Sequence, residues 1–517
     1  MAPRPNQRKL ILVVVDSLRS DMLLRTVEAG DAPTFKKLLD RGELVPDCVS
    51  SFPSVTPVCT SEITTGVRPD QHQIPGMNWY HRAEERYVEY GSSFEATRLF
   101  GLFRSLYDTV YNLNMGHLNH ETLTCFERLG DAGFRTACTP FLIYRGRTRH
   151  EVGLEGLLKA AASAAKFHHA VWGPDELFYG ELYSSRKVDC KPTLARPATR
   201  DAYSACVGRE LVKQDLYDFM LFSLPDNDYF SHRDGPRETQ ESIALADDAL
   251  AELVDAHGGI EPFLEANGVI VVADHAQSHV TRPLPLAAGL GGHWDVLQPN
   301  AELDFVQHEL AVGPSGRGAG IWVLGEPSRA RDGLAAKVRS YVNRNLGEQI
   351  ELIAWLSRAA DGGVEAAVLR GEHELRFVPG GDLTDRRGET WSVEGDLATL
   401  TAEVRDGTFV SADYPDALAR LWAALQNPNA ADILLSLAPD WECEDWGGVT
   451  HTPGGSHGSL RAEDSLGTLL TVGLEGERPD RAGPESWAIS DIAGLVDAHF
   501  GITAATADRA VASSAAG

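Results

Sequence analysis

Carboxylate and imidazole side chains follow three separate apolar runs in this chain, and those are the groups that bind divalent metal ions. Asp16 comes directly after the run Lys9 to Val15 (KLILVVV). The segment Asp226 to His232 comes after Phe219 to Leu224 (FMLFSL), and the pair Asp274-His275 comes after Val269 to Ala273 (VIVVA). Asp228 and His232 stand four residues apart in PDNDYFSHRDGP, so one helical turn would aim both at a single ion. His457 adds an imidazole far downstream, in the loop GGSHG. An Asp after a strand is ordinarily a helix cap or a turn residue, but the same punctuation met three times points to one shared site. Mixed Asp and His ligation suits zinc or another borderline divalent ion and disfavours magnesium or calcium sites built from oxygen alone. There are enough such groups for two ions.

Thr56 offers a different chemistry. In SFPSVTPVCTSEITTG, Thr56 is placed to cap a short helix over about 57–65, with Pro57 suited to its first position and Gly66 to its end. A hydroxyl at a helix N-terminus lies where free N–H groups and the macrodipole favour an anion such as phosphate, and a nearby cation would stabilise its alkoxide. Taken alone, the segment reads as an ordinary capping threonine.

These side chains need a sheet to hold them. The three apolar runs have the continuous Val, Ile and Leu content of strands buried on both faces of a parallel sheet. Such sheets bind ligands at the carboxyl ends of their strands, where all three clusters fall. A helix is predicted over 33–41, and another over 238–257 with Ile243, Ala246, Leu250, Leu253 and Val254 on one face. Gly320 to Leu324 and Ile433 to Leu437 read as further buried strands of the resuming sheet, the latter after a helix near 415–425. Between about 350 and 410, short alternating segments such as Glu374 to Val378 and Thr390 to Val393 are broken by Gly-rich turns. The expected organisation is a core of 1–345 and 430–503, a small α+β insert of 346–429, and a flexible tail of 504–517.

The whole chain sets bounds on partners. Its 517 residues exceed the size at which one core stops growing, about 250 to 300 residues. The net charge of -27, from 47 basic and 74 acidic residues, argues against a nucleic acid polymer as partner. No secretion signal is visible, and no window has the roughly 18 apolar residues of a membrane span. Seven scattered cysteines without a C-x-x-C pair fit reduced thiols and a cytoplasmic location. Oligomeric state is not legible.

The motifs resemble the alkaline phosphatase superfamily, in its type I phosphodiesterase and nucleotide pyrophosphatase branch. The match runs through Leu10 to Asp21, Pro33 to Gly42, Ser51 to Gly76, Leu224 to Pro236, Val269 to Ser278 and Gly454 to Ser459. The resemblance implies an α/β fold, an alkaline phosphatase-like core whose mostly parallel central sheet is flanked by helices, with a small β-rich insert. It implies one metal held by Asp16, Thr56, Asp274 and His275, and a second held by Asp228, His232 and His457. Asp228 is preferred to the near-duplicate Asp226 because the family spacing is D-x-x-x-H followed by Gly-Pro, met here at Gly235-Pro236. The two ions would be zinc, with manganese or another transition metal as alternatives. Thr56 would be the nucleophile, forming a phosphothreonine in the hydrolysis of phosphodiester or pyrophosphate bonds in small, nucleotide-like phosphate esters.

A phosphomonoesterase or phosphomutase of the same superfamily would share these residues, and a non-catalytic metal-binding protein is the reading from another class. A sulfatase is disfavoured because Thr56-Pro57-Val58-Cys59 lacks the C/S-x-P-x-R segment. The family commonly has Asn three positions after the nucleophile, where this chain has Cys59, a weak donor or a small core residue. His72 is expected to be structural, and His279 and His293 ordinary. Asn78, Trp79 and Tyr80 are expected to stack on a substrate base or sugar.

Overall fold

The run KLILVVV has no polar side chain after Lys9 to turn to water, and it lies at the centre of a sheet with both faces covered. A computed structural model of the protein describes residues 7–153, 169–180, 182–191, 199–299, 308–359, 362–477, 479, 481, 483 and 486–502, and the tail expected at 504–517 lies outside them. The first sheet has eight strands. They are β1 Lys9–Val15, β2 Glu43–Val49, β3 Thr136–Cys138, β4 Glu176–Tyr179, β5 Tyr183–Ser184, β6 Phe219–Leu224, β7 Asn267–Val272 and β8 Leu466–Val472. Their order is β2-β8-β7-β1-β6-β3-β4-β5. The pairs β7-β1, β1-β6, β6-β3 and β3-β4 are parallel, while β8 runs antiparallel to both β7 and β2.

Period-two alternation divides β1 between two apolar layers. Leu10, Leu12 and Val14 belong to one cluster, and Ile11, Val13 and Val15 to the other. Four of the helices are α1 Thr56–Thr65, α2 Arg200–Lys213, α3 Asp226–Asp234 and α4 Gln240–Ala256. The predicted face of α4, Ile243, Ala246, Leu250, Leu253 and Val254, is buried against the second layer. Each Ile, Leu or Val side chain on that face contributes about 1.5–3 kcal/mol when fully buried.

Two expectations are corrected. Gly318–Val323 and Ile433–Leu437 are strands, but they do not rejoin the first sheet. They pair antiparallel in a second, nine-stranded sheet that also takes Ile350–Arg358, Val364–Arg370 and His373–Thr384, so strands on both sides of 346–429 share a sheet with it. An apolar run reports burial and carries no label for the sheet that buries it. The late strand of the first sheet is β8, which sequence reasoning did not single out. The cysteines are the second correction, because Cys190 and Cys206 form a disulfide with Cα atoms 5.9 Å apart. The other five are free and buried. Among the described residues no helix is long and apolar enough to cross a membrane.

A small three-stranded sheet bears directly on the site. Ser278–Leu284 pairs parallel with Asp440–Cys443 and antiparallel with Gly454–Ser456. Its register sets Ser278 opposite Ser456 and His279 opposite Gly455. That pairing brings the loop carrying His457 back beside Asp274 and His275.

Candidate active site

The strand ends deliver their side chains to one place. Asp16 follows β1, Asp274 and His275 follow β7, and Asp228 and His232 stand one turn apart on α3 directly beyond β6. Asp16, Asp274 and His275 form one group, and Asp228, His275 and His457 another, the ligand atoms within each lying within 4.8 Å of one another. His232 Nε2 stands 3.5 Å from Asp228 Oδ2, and its ring centroid is 5.1 Å from that of His457. Thr56 Oγ1 lies 3.2 Å from His275 Nε2. All seven side chains singled out from the sequence are therefore neighbours.

The imidazoles are oriented from behind. His232 Nδ1 donates to Gly455 O at 2.8 Å, and His457 Nδ1 donates to Ser54 O at 2.7 Å. Each bond fixes the tautomer and leaves Nε2 as a lone-pair donor facing the centre, as in ordinary metal-ligating histidines. His275 Nδ1 lies 3.2 Å from Ala276 O with the same effect. Burial holds the pKa of His232, of His275 and of His457 at about 4, so all three rings are neutral at pH 7.

The carboxylates are crowded. Burial, with the charges of Asp274 and Asp228, pushes the Asp16 carboxyl well above its ordinary range. Burial and the charge of Asp228 raise Asp274 to about 6. Burial also opposes ionisation of Asp228, but the rings of His232, His457 and His275 outweigh it and hold that carboxyl low. Asp274 Oδ2 is buried with no hydrogen-bond partner among the described residues, 3.5 Å from His275 Nε2. Carboxylates pressed together, an orphaned oxygen and three inward lone pairs are what a pair of divalent cations would satisfy, so the donor set fits them.

Ser17 and Gln277 complete this arrangement and were not apparent in the sequence. Ser17 has a φ of 59°, a left-handed conformation that costs a non-glycine residue about 1–3 kcal/mol. The turn lets its N–H donate to Asp274 Oδ1 at 3.3 Å and its hydroxyl to Asp228 Oδ1 at 2.7 Å. Gln277 Nε2 donates to Asp228 Oδ1 and, at 3.2 Å, to Ser17 Oγ. The near-duplicate Asp226 serves elsewhere. Its Oδ1 accepts from Arg200 Nε at 2.8 Å and its Oδ2 from Asp201 N at 3.0 Å, so it braces the start of α2.

Thr56 proves to be the first residue of α1, with Val55 in the cap position. Its hydroxyl is thus turned to His275 and makes no capping bond. Pro57 lacks an N–H and Val58 N donates to Val55 O, which leaves the Thr56 amide as the N–H this helix end can offer an oxyanion. Cys59 lies on the buried face with Val55, Val58 and Ile63, fully enclosed, and burial pushes its thiol pKa far up. It is a core residue, and position 59 offers nothing to a phosphate oxygen.

His72 is also buried, with Nδ1 accepting from Ile74 N at 3.1 Å, while His279 and His293 are exposed. Asn78 and Trp79 are buried in the hairpin Asn78–His81 and Arg86–Glu89, and Tyr80 does not reach the cavity either. The expectation that these three stack on a substrate therefore fails. Strand alternation turns Trp79 inward, against His81 and His117.

A cavity of about 740 Å³ opens over the centre, lined by Asp16, Thr56, Asp228, His232, Asp274 and His457, and further out by Phe141, Tyr179, Arg200 and Tyr229. His451, missed in the sequence, also lines it, its ring stacked 3.9 Å from that of His232. Its Nδ1 donates to the buried Glu442 Oε1 at 2.6 Å. Only a fold that pairs 440–443 and 454–456 with one strand could reveal that dyad.

A family model described as type I phosphodiesterase / nucleotide pyrophosphatase matches residues 10–460. No curated protein sequence matches the chain significantly. Among solved structures, phosphonoacetate hydrolase from Sinorhizobium meliloti 1021 in complex with phosphonoformate aligns over 96% of each chain, at 15% identity and a TM-score of 0.53. The same hydrolase in complex with phosphonoacetate aligns over 96% of each chain at 15% identity and a TM-score of 0.52. At that identity the likeness is one of fold.

Proposed function

The chain belongs to the type I phosphodiesterase/nucleotide pyrophosphatase family, within the alkaline phosphatase superfamily, and from that premise we propose that it hydrolyses phosphodiester or pyrophosphate bonds in small, nucleotide-like substrates. Asp16, Thr56, Asp274 and His275 would hold one divalent ion, and Asp228, His232 and His457 a second, zinc being the best match to the donor set. The observation that carries this reading is the Thr56 hydroxyl 3.2 Å from His275 Nε2, at the junction of two ligand groups that share His275.

When bound, the ions would lower the hydroxyl pKa, neutralise the phosphoryl oxygens and supply an activated water. Thr56 Oγ1 gives up its proton and forms the bond to phosphorus as the ester oxygen on the opposite side leaves and takes up a proton, giving a phosphothreonine. Water then gives up a proton and forms the second bond to phosphorus, and the threonine oxygen departs and takes up a proton in turn. The Thr56 amide donates to a phosphoryl oxygen. The cavity of about 740 Å³ reaches past the seven residues to Phe141, Tyr179 and Tyr229, which gives room for a second ester group and favours diesters over monoesters.

The test uses bis(p-nitrophenyl) phosphate and p-nitrophenyl phosphate on zinc-loaded protein. We expect the diester to be preferred, and Thr56→Ala to lose at least about 10³-fold in kcat while zinc stays bound. Retained activity in that variant would remove Thr56 as nucleophile. Activity that survives chelation would remove the metals.

A further inference from the structure

Arg200 places in the cavity a cation that makes no hydrogen bond to the seven-residue centre. It is the first residue of α2, and its guanidinium is held from behind, Nε donating to Asp226 Oδ1 at 2.8 Å and Nη2 to Pro225 O at 3.2 Å. The anchor is itself fixed, because Asp226 N donates to Asp201 Oδ1 at 3.0 Å while Asp226 Oδ2 accepts from Asp201 N. Among the described residues Arg200 Nη1 has no acceptor, and the side chain keeps 34% of its surface open on the wall it shares with Asp16 and Thr56. The other cation on that wall, Arg233, is committed to Asp234.

Sheet order says which part of a substrate Arg200 meets. Thr56 touches His275 beyond β7, whereas Arg200 is fastened to the end of β6, with Phe141 just past β3 and Tyr179 at the end of β4. Counted from β7, β6 is two strand spacings away, β3 three and β4 four, about 10–20 Å. Asp228 also follows β6, so Arg200 stands where the seven-residue centre gives way to the part of the cavity lined by Phe141 and Tyr179, the part open to a group attached to the phosphoryl under attack.

We propose that Arg200 determines specificity by binding a second oxyanion of the substrate, a carboxylate or a phosphate carried on a group attached to the scissile phosphorus. The proposal rests on the phosphoesterase reading above. A guanidinium held at Nε still presents a fork of N–H groups that matches either oxyanion, and it offsets the repulsion such a group meets among Asp16, Asp228 and Asp274. Its anchor Asp226 is the carboxylate that the metal centre leaves unused.

Diphenyl phosphate and its 4-carboxyphenyl and 4-phosphonophenyl counterparts, compared on the zinc-loaded full chain, provide the test. Wild type should favour at least one anionic ester over diphenyl phosphate by about 30-fold in kcat/KM, and the favoured ester identifies the oxyanion. Arg200→Ala should abolish the preference while holding diphenyl phosphate turnover within about threefold, which also reports that the variant is folded; Arg200→Lys should keep part of it. A preference absent from wild type, one that survives Arg200→Ala, or an equal fall on all esters overturns the subsite and leaves the reaction class standing. Failure of zinc-loaded wild type to turn over any of the three overturns the reaction class and the subsite together.

Discussion

Asp226 and Asp228 are two residues apart on one helix, yet their surroundings assign them opposite tasks. Asp228 receives Ser17, Gln277 and the imidazoles, whereas Asp226 receives Arg200 and the Asp201 amide. Asp228→Asn should weaken zinc binding by at least about 100-fold, and Asp226→Asn should leave it within a few-fold while lowering stability by about 1–3 kcal/mol. Chelator-competition titration and thermal melts of both variants check this, and equal zinc affinities would contradict the assignment. Glu62, on the buried face of α1, carries a pH effect. Burial, opposed in part by Arg68, raises its carboxyl to about 7. Its folded pKa is above the unfolded value, so wild-type protein loses stability as pH rises from about 4.5 to about 7, on the order of 3 kcal/mol. Glu62→Gln removes that ionisation and should gain in melting temperature relative to wild type between pH 5 and pH 8.

At the scale of elements, the second ligand group depends on how closely the strand Gly454–Ser456 approaches α3. A Cβ at Gly455 would run into Ser231 O and the Gln277 side chain, so Gly455→Ala must push the strand away from His232 and carry His457 with it. We expect zinc affinity to fall at least about tenfold and stability by about 1–3 kcal/mol; unchanged affinity in a chelator titration would show that the strand can yield. Much at this scale was legible in the sequence. Lys9–Val15, Phe219–Leu224 and Ile433–Leu437 were predicted with the ends they have, the first two because Asp16 and Pro225 abruptly close continuous apolar runs. The sheet to which Ile433–Leu437 belongs was not legible, since burial on both faces looks alike in either sheet. Leu466–Val472, a short LGTLLTV run with Gly and Thr in it, gave no comparable signal. Ser17, Gln277, His451 and Arg200 were hidden for another reason. Each gains its place from partners up to hundreds of positions away, as Ser17 does from Asp228 and Asp274.

Over the whole molecule, the centre joins parts far apart in the chain: the ends of β1, β6 and β7, the helix α1, and the loop after Gly454–Ser456. Metal binding should therefore stabilise the entire fold, each site contributing about 2.7 kcal/mol when free zinc is a hundredfold above its Kd. Scanning calorimetry with and without chelator should show a lower melting temperature for metal-free protein, restored by zinc, and coincident melts would argue against a shared centre. The Cys190–Cys206 disulfide withdraws the thiol argument for a cytoplasmic home. The pairing of Ser278–Leu284 with Gly454–Ser456 has a further consequence for biosynthesis. His457 is the last of the seven side chains to leave the ribosome, so a nascent chain that has emerged only through Leu437 carries six of them and not the strand that seats the seventh. The second ligand group cannot close before residues 454–457 have been made.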